Sequence, residues 1–354
     1  MRSVTHVSPA PGAQSDATPH DRPSTNGHSP SNTVPTLSVA QVGPAAERIV
    51  ANIEKVVAGK HDVIRLGVTV LLAEGHLLIE DVPGVGKTTF AKALARSIDC
   101  TVRRIQFTPD LLPSDVTGVS IYNSESTDFE FKPGPVFANI VLGDEINRAS
   151  PKTQAALLEC MAERQVTVDG ARYVLQSPFL VLATQNPIEM EGTYALPEAQ
   201  RDRFTAKLSL GYPDRAAEIA MLSDQTTADP LTTLTTVSDA EHIRALIETV
   251  RNVHVAEAVK DYVVSLVEAT RNHSDIRLGA SPRASLHLLR TAKSAAAIAG
   301  RDFVLPDDVQ RLVAPVLAHR LLLAPSAIVA GRSPENLLAE IVVKVPIPVA
   351  SARI

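Results

Sequence analysis

Residues 76–89 read HLLIEDVPGVGKTT, in which an apolar run is followed by a glycine-rich loop, a lysine and a helical segment. This order predicts a strand, a phosphate-binding loop and a helix whose amino end faces the loop. Gly84 and Gly86 let backbone N–H groups curl around phosphate oxygens. Lys87 adds a positive charge, and Thr88 offers a hydroxyl to Mg²⁺. The competing interpretation is a glycine-rich turn before an ordinary helix.

One position departs from the usual phosphate-binding pattern. The spacing asks for a glycine six residues before Lys87, and Asp81 stands there instead. The loop is therefore an incomplete signal when taken alone, and the rest of a nucleotide site has to be found elsewhere in the chain.

The composition limits the classes of protein to be considered. With 354 residues and 45% hydrophobic content, the chain can form two domains with an aliphatic core. Its net charge of −5 argues against a protein held mainly by nucleic-acid phosphates. Cys100 and Cys160 do not make a disulfide framework, so we expect a reduced, cytoplasmic setting. No apolar run is long enough to span a bilayer, and the first residues do not resemble a signal peptide.

Three regions differ in composition and pattern. Residues 1–38 are rich in Pro, Ser and Thr, which predicts a disordered tail that is either plainly solvated or binds a partner. Residues 39–212 alternate short apolar runs with helical segments, which is typical of an α/β domain with a mostly parallel sheet. The predicted strands are Leu77–Ile79, Val102–Phe107, Ile140–Leu142, Phe179–Ala183 and Lys207–Leu210.

The remaining patterns predict hairpins and a helical domain. Residues 129–131 and 166–168 alternate apolar and polar side chains, so each predicts one strand of an inserted hairpin. From residue 213 to 354 the pattern becomes helical throughout, which places a domain boundary near Tyr212. Three helix starts carry serine N-cap signals, one as a capping box with Glu241 and two followed by proline: Ser238, Ser281 and Ser333.

Acidic and amide side chains follow two further predicted strands. Asp144 and Glu145 end the run that begins at Ile140, so their carboxylates should lie beside the phosphate loop. Asp144 would hold Mg²⁺, and Glu145 would polarise an attacking water. Asn186 ends the next strand and could orient that water. Taken alone, each of these could instead close an ordinary surface turn.

From about Glu47 to Pro348 the chain resembles the MoxR family of AAA+ ATPases. The resemblance rests on seven words that stand in the family's order: EDVPGVGKT (80–88), FTPDLLPSD (107–115), GPVFANIVL (134–142), DEINRA (144–149), ATQNP (183–187), LPEAQRDRF (196–204) and GASPRA (279–284). This likeness implies an AAA+ P-loop core of three layers, with a parallel five-stranded sheet, followed by an all-helical lid domain.

The resemblance also implies roles for individual residues. Lys87 and Thr88 match Walker A, Asp144 and Glu145 match Walker B, and Asn186 matches sensor 1. Two arginines, whose planar forks suit phosphate oxygens, match the arginine finger and sensor 2: Arg203 and Arg283. Arg201 and Arg148 are the rivals for the finger that acts on a neighbouring subunit. The implied contacts to ATP come from Val57, Gly59, Pro83, Gly84, Val85, Gly86, Lys87, Thr88, Thr89 and Arg283.

Similar proteins carry a helix-2 insert, a hairpin before sensor 1 and a Val-Gly-Gln segment near the adenine. Residues 119–132 and 166–173 match the two inserts. The adenine segment appears here as residues 57–60, with Lys60 where the family has glutamine. Together with Asp81, this leaves nucleotide preference open, although backbone contacts could survive both changes.

The function implied is Mg²⁺-dependent ATP hydrolysis between subunits of a ring, with a hexamer expected. The resemblance adds a chaperone-like role in maturing or remodelling client proteins or inserting a metal or cofactor. It also implies a partner with a von Willebrand factor A domain and leaves the client unnamed. Two alternatives stay open, a nucleic-acid-dependent motor and an ATP-binding scaffold without efficient turnover. The acidic balance weighs against a nucleic-acid partner, and the filled catalytic positions weigh against a scaffold.

Overall fold

The computed structural model describes residues 37–82, 84–185, 194–213, 215, 218–219 and 230–348. Apart from its last two residues, the predicted disordered tail lies outside this set, and so do Pro83 and Asn186. All described residues belong to one compact unit. The division of the chain near Tyr212 stays a prediction.

The helices and strands follow one another in an order that mixes both types in the first part and is mainly helical in the second. In chain order they are α1 (Val39–Glu54), α2 (His61–Leu72), β1 (Leu77–Glu80), α3 (Lys87–Ser97), β2 (Val102–Gln106), α4 (Pro113–Thr117), β3 (Gly118–Asn123), β4 (Asp128–Pro133), β5 (Ile140–Asp144), α5 (Pro151–Glu163), β6 (Gln165–Val168), β7 (Ala171–Val174), β8 (Leu180–Gln185), α6 (Glu198–Arg201), β9 (Ala206–Leu208), α7 (Ala240–Arg251), α8 (Glu257–Arg271), β10 (Ile276–Leu278), α9 (Pro282–Ile298), α10 (Pro306–Leu317), β11 (Leu322–Leu323), α11 (Pro325–Val329) and α12 (Pro334–Lys344).

The predicted parallel sheet is confirmed, and all five predicted runs belong to it. Its strand order is β2-β5-β8-β1-β9, and every neighbouring pair is parallel. Both faces are covered, because consecutive residues of a strand point to opposite sides. In β1, Leu77 and Ile79 join the core formed with α1, α2 and α3, whereas Leu78 joins the core formed with α5.

The close approach of α2 to α3 depends on a glycine. A Cβ added at Gly67 would lie 2.6 Å from the tip of the Phe90 ring, which is fully buried. Side chains larger than hydrogen would therefore push apart the helix that begins at the phosphate loop and the helix that precedes β1.

Both predicted hairpins are present. β3 pairs with β4, and β6 pairs with β7, each antiparallel. The two hairpins touch through Phe131 and Tyr173, whose rings stack with centroids 3.9 Å apart. Beyond this stack, Phe129 is exposed at the outer part of the first hairpin.

The second part of the chain is mainly helical, with one element that the sequence pattern did not predict. β10 and β11 form a short antiparallel ribbon between helices. Ser281 and Ser333 cap α9 and α12 as predicted, each accepting a backbone N–H and each followed by proline. The predicted cap at Ser238 is wrong by one residue: Asp239 accepts the His242 N–H at 2.7 Å. The carboxylate is the better acceptor, and the Ser238 hydroxyl contacts the His242 ring instead.

This second part packs directly on the first. The buried cluster that contains Leu77 and Ile79 continues through α1 into α7, α8, α9 and α10. At Gly43 in α1, an added Cβ would lie 2.6 Å from the Ile298 carbonyl oxygen at the end of α9. Among the described residues, no helix is both long and apolar enough to cross a membrane.

Candidate functional site

The loop between β1 and α3 is shaped to receive an anion. Gly84 and Gly86 have φ angles of +86° and +93°, which side-chain-bearing residues rarely adopt. A Cβ added at either glycine would meet no atom of the described residues within 4 Å, so the loop leaves open space beside both glycines. Helix α3 begins immediately afterwards, and the unpaired N–H groups of its first turn carry the positive end of the helix dipole.

A lysine and two threonines lie at the described part of this loop and at the start of α3. Lys87 donates from Nζ to the Asp81 carbonyl oxygen at 3.1 Å, so its ammonium group already lies along the loop. Thr88 and Thr89 are half-buried in the first turn of α3. Val85 packs against the adjoining apolar core. Among the described residues, the loop and the first turn of α3 therefore combine backbone donors, one cation and two hydroxyls.

The two acidic residues lie at the same edge of the sheet. β5 and β1 both pair with β8 in parallel, so their carboxyl ends meet there. Thr184 of β8 donates to Asp144 Oδ1 at 2.6 Å and accepts from the Glu145 N–H at 2.9 Å. Glu145 has a φ of +56°, an uncommon value for a side-chain-bearing residue. Thr184 thus orients both acids, a role that the sequence did not suggest.

Strand β2 supplies two partners of these acids that the sequence analysis missed. Arg104 donates to Asp144 Oδ2, with Nη2 at 2.7 Å. Gln106 donates from Nε2 to Glu145 Oε2 at 3.0 Å. Because β2 lies beside β5, alternate residues of β2 reach the acids at its end. The sequence signal is the alternation Arg104-x-Gln106. It identifies partners of the two acids only once β2 is known to lie beside β5.

Arg148 was a rival for the finger, and the structure gives it a partner in its own subunit. Its Nη1 donates to Glu145 Oε2 at 3.0 Å. The described part of the chain holds no group of three or more His, Cys, Asp or Glu side chains fit for a metal. The oxygen donors of Thr88 and Asp144 still suit Mg²⁺, which commonly completes its coordination with water and phosphate.

The residues proposed for the adenine lie beside the end of β9. Val57 is buried and Gly59 has a φ of +70°. Lys60, which follows them, donates from Nζ to the Tyr212 carbonyl oxygen at 2.8 Å. The Asp81 carboxylate contacts the same residues after β9, because it accepts from the Leu210 N–H at 2.5 Å. Neither contact was foreseen from the sequence.

Arg203 and Arg283 lie at the other edge of the sheet. Both line a cavity of about 710 Å³ that is also bounded by Glu74 and His76, which precede β1, and by Thr205, which precedes β9. The phosphate loop follows β1, and the four residues of that strand span about 13 Å. The two arginines therefore do not meet the phosphate loop of their own chain.

The cavity is strongly basic. Its charged lining has one acid, Glu74, against six cations: Arg164, Arg203, Arg251, Arg283, Arg290 and Lys293. Glu74 is already engaged by Arg164 and Arg251, and these ion pairs hold the pKa of its carboxyl below its usual value against the opposing effect of burial. Arg203 Nε is buried without a hydrogen-bond partner among the described residues, as is Nε of its rival Arg201. Only Arg203 of that pair lines the cavity.

A buried ion pair fixes the turn that carries Arg203. Asp202 accepts from Arg320 Nε at 2.9 Å and from the Ser281 hydroxyl at 2.8 Å. Ser281 is the N-cap of α9, whose second residue is Arg283. Burial lowers the pKa of Arg320 to about 10, although Asp202 acts in the opposite direction. One carboxylate thus connects the Arg203 turn to the helix that carries Arg283.

Comparisons with known proteins match two parts of the chain to family models. Residues 76–206 match the ATPase family associated with various cellular activities (AAA), and residues 268–341 match the AAA lid domain. The YeaC protein of Bacillus subtilis (strain 168) is 50% identical over 311 residues, which is 88% of this chain and 97% of that protein. Chaperone MoxR1 of Mycobacterium tuberculosis (strain ATCC 25618 / H37Rv) is 40% identical over 351 residues, 97% and 90% of the two chains.

Two further relatives extend the comparison. Protein MoxR of Paracoccus denitrificans is 34% identical over 301 residues, which is 78% of this chain and 88% of that protein. A crystal structure from Cytophaga hutchinsonii is 39% identical with a TM-score of 0.81, and the likeness covers 87% of this chain and 96% of that one.

Proposed function

The chain belongs to the MoxR family of AAA+ ATPases, and from this premise we propose that it hydrolyses ATP, with Mg²⁺, between the subunits of a ring. One observation carries the proposal. The phosphate loop and the acids lie at the carboxyl edge of the sheet, whereas Arg203 lines a cavity at the amino edge. A site that needs both halves is complete only when two copies meet.

The first half of the site binds and orients the triphosphate. Backbone N–H groups at Gly84 and Gly86 and the first turn of α3 would hold the phosphate oxygens. Lys87 would exchange the Asp81 carbonyl oxygen for a phosphate oxygen, a stronger acceptor. Thr88 and Asp144 would hold Mg²⁺, which would offset the negative charge that develops on the phosphate during the reaction.

Glu145 would take the proton of the attacking water. Gln106 and Arg148 both donate to its Oε2 atom. Arg104 likewise donates a hydrogen bond to the Asp144 carboxylate. When ATP and Mg²⁺ bind, these hydrogen bonds would have to break so that Asp144 can reach the metal and Glu145 can reach the water. Asn186, outside the described residues, is proposed to orient the same water.

The second half of the site would come from the next subunit. Arg203 and Arg283 face one cavity and have fixed charges, so both suit the γ-phosphate of a neighbour. Asp202 precedes Arg203 and also accepts a hydrogen bond from Ser281, the N-cap of the helix that carries Arg283, so the two arginines would move together. This placement favours Arg203 over Arg148, which contacts its own Glu145.

The work done with ATP is proposed to be chaperone-like. The name of the M. tuberculosis relative supports a role on client proteins. A hexameric ring and a partner with a von Willebrand factor A domain rest on the family resemblance alone. The client is left open, with protein maturation, remodelling and the insertion of a metal or cofactor as the candidates.

The test of this proposal is Glu145→Gln in the full chain. The amide keeps the shape of the carboxylate but cannot take a proton, so we expect the ATPase kcat to fall about 10²- to 10⁴-fold. ATP binding and ATP-dependent assembly, measured by calorimetry and light scattering, should persist. The matched control is Glu268→Gln, an exposed position on α8, which should hydrolyse ATP normally. Wild-type turnover by Glu145→Gln protein would refute the assignment of Glu145.

A further inference from the structure

Asp81, which stands where a phosphate loop usually has glycine, is fully engaged by neighbouring groups. Its side chain is only 7% exposed. Oδ1 accepts from the Ser209 hydroxyl at 2.9 Å and from the Gly211 N–H at 3.2 Å. Oδ2 accepts from the Leu210 N–H at 2.5 Å. Among the described residues no cation pairs with Asp81, so this carboxylate is held entirely by neutral donors.

Lys60, which stands where the family has glutamine, contacts Tyr212, the residue after Gly211. Its Nζ donates to the Tyr212 carbonyl oxygen at 2.8 Å. It also lies beside Gly211, where an added Cβ would be 3.9 Å from Nζ. The two departures are far apart in the sequence, yet both bind residues 209–212, which we call the exit segment. The exit segment follows β9 and leads towards the helical part of the chain.

Asp81 also faces the phosphate loop through its backbone. Its carbonyl oxygen accepts from Lys87 Nζ at 3.1 Å. A phosphate that draws Lys87 away removes the partner of that carbonyl, while the carboxylate of the same residue stays bonded to the exit segment. Hydrogen bonds to a charged acceptor are roughly twice as strong as neutral ones. Movement at residue 81 would therefore be transmitted to Leu210 and Gly211.

We infer that Asp81 and Lys60 are positioning residues that couple occupancy of the phosphate loop to the exit segment. Asp81 provides the link on the phosphate side, and Lys60 provides it beside residues 57–59, the proposed adenine contacts. The inference rests on the proposed function, because it needs a nucleotide in this loop. A glycine at position 81 would restore the usual spacing of the phosphate loop, but it would leave the donors of the exit segment without their acceptor.

The experiment combines calorimetry of ADP binding with amide hydrogen exchange on the full chain. The variants are Asp81→Gly, Asp81→Asn and Lys60→Gln. The control is Asp99→Gly, an exposed residue whose φ of +47° suits glycine. In the wild-type protein, ADP should change the exchange rates of the Leu210 and Gly211 amides.

Asp81→Gly should exchange these amides at least about tenfold faster without ADP and lose the response to ADP. Its Kd for ADP should rise about 3- to 10-fold, with smaller effects in Asp81→Asn, which keeps one acceptor oxygen, and in Lys60→Gln. Circular dichroism of Asp81→Asn guards against a simple folding defect. Asp99→Gly should behave as wild type throughout.

Three outcomes distinguish failure of the proposed function from failure of the proposed coupling. Wild-type protein that does not bind ADP overturns the proposed function, and the coupling with it. Wild-type protein that binds ADP, with an unchanged ADP response of the exit segment in Asp81→Gly, overturns the coupling alone. Faster exchange in Asp81→Gly with unaltered affinity for ADP would mark Asp81 as structural only and would also overturn it.

Discussion

The buried His76 side chain should make this protein sensitive to mild acid. It lies just before β1, where its Nδ1 accepts from the Val181 N–H at 3.0 Å and its Nε2–H faces the Met161 carbonyl oxygen at 3.1 Å. This arrangement fixes the neutral form of the ring. Burial, assisted by the charge of Arg164, lowers the pKa of His76 from 6.5 to about 4, although the Met161 contact opposes the shift.

The size and direction of the effect follow from that pKa. The unfolded chain binds a proton near pH 6.5, whereas the folded protein resists it until near pH 4. Stability is therefore full above pH 6.5 and falls as the pH drops through this window. At about pH 5 the loss from His76 is about 2 kcal/mol, a large part of a typical stability of about 5–15 kcal/mol. His287, with its pKa lowered by burial to about 2, adds a similar amount.

The assay is urea denaturation of wild type and His76→Gln at about pH 7.5 and about pH 5. Glutamine cannot titrate, so the variant should be weaker at neutral pH but lose about 2 kcal/mol less than wild type on acidification. His254→Gln, at an exposed histidine, should keep the whole acid response. An acid-induced loss in His76→Gln as large as that of wild type would refute the reasoning, because His76 would then not be the titrating group.

Two further predictions concern the amino edge of the sheet. Arg203→Ala protein should regain ATPase activity when mixed with Lys87→Ala protein, since each supplies the half-site that the other lacks; equal inactivity of the mixture and its components would count against a finger acting on a neighbour. Asp202→Asn should lower the free energy of unfolding by about 3–5 kcal/mol, because Arg320, 4% exposed, is left charged without its partner. In urea titrations the double variant with Arg320→Met should show a coupling energy of about 1–3 kcal/mol, and strict additivity would deny the pair.

The sheet and the phosphate loop could be predicted because their signals are local. The three central strands, β5, β8 and β1, are short apolar runs buried on both faces, and the loop is recognisable from Gly84, Gly86 and Lys87. The carboxyl-edge position of Asp144 followed from the ending of its strand.

Features that depend on which elements become neighbours could not be predicted in the same way. Arg104 and Gln106 are ordinary exposed strand residues until β2 is placed beside β5. The ribbon between β10 and β11 joins segments with too few residues to show a period. The side of the sheet to which Arg283 belongs depends on how α9 packs, and the sequence of α9 does not contain that information.

The stack between Phe131 and Tyr173 has a consequence for how the two hairpins can diverge among relatives. Each ring covers a face of the other, so a small residue at either position leaves an aromatic surface in water and removes the contact that sets the spacing of the two hairpins. Neither hairpin contributes a strand to the five-stranded sheet, and both rings also contact Phe137, which packs against the buried core. The two inserts are thus separate in sequence but constrained as a pair, and a viable change in one ring calls for a compensating change in the other.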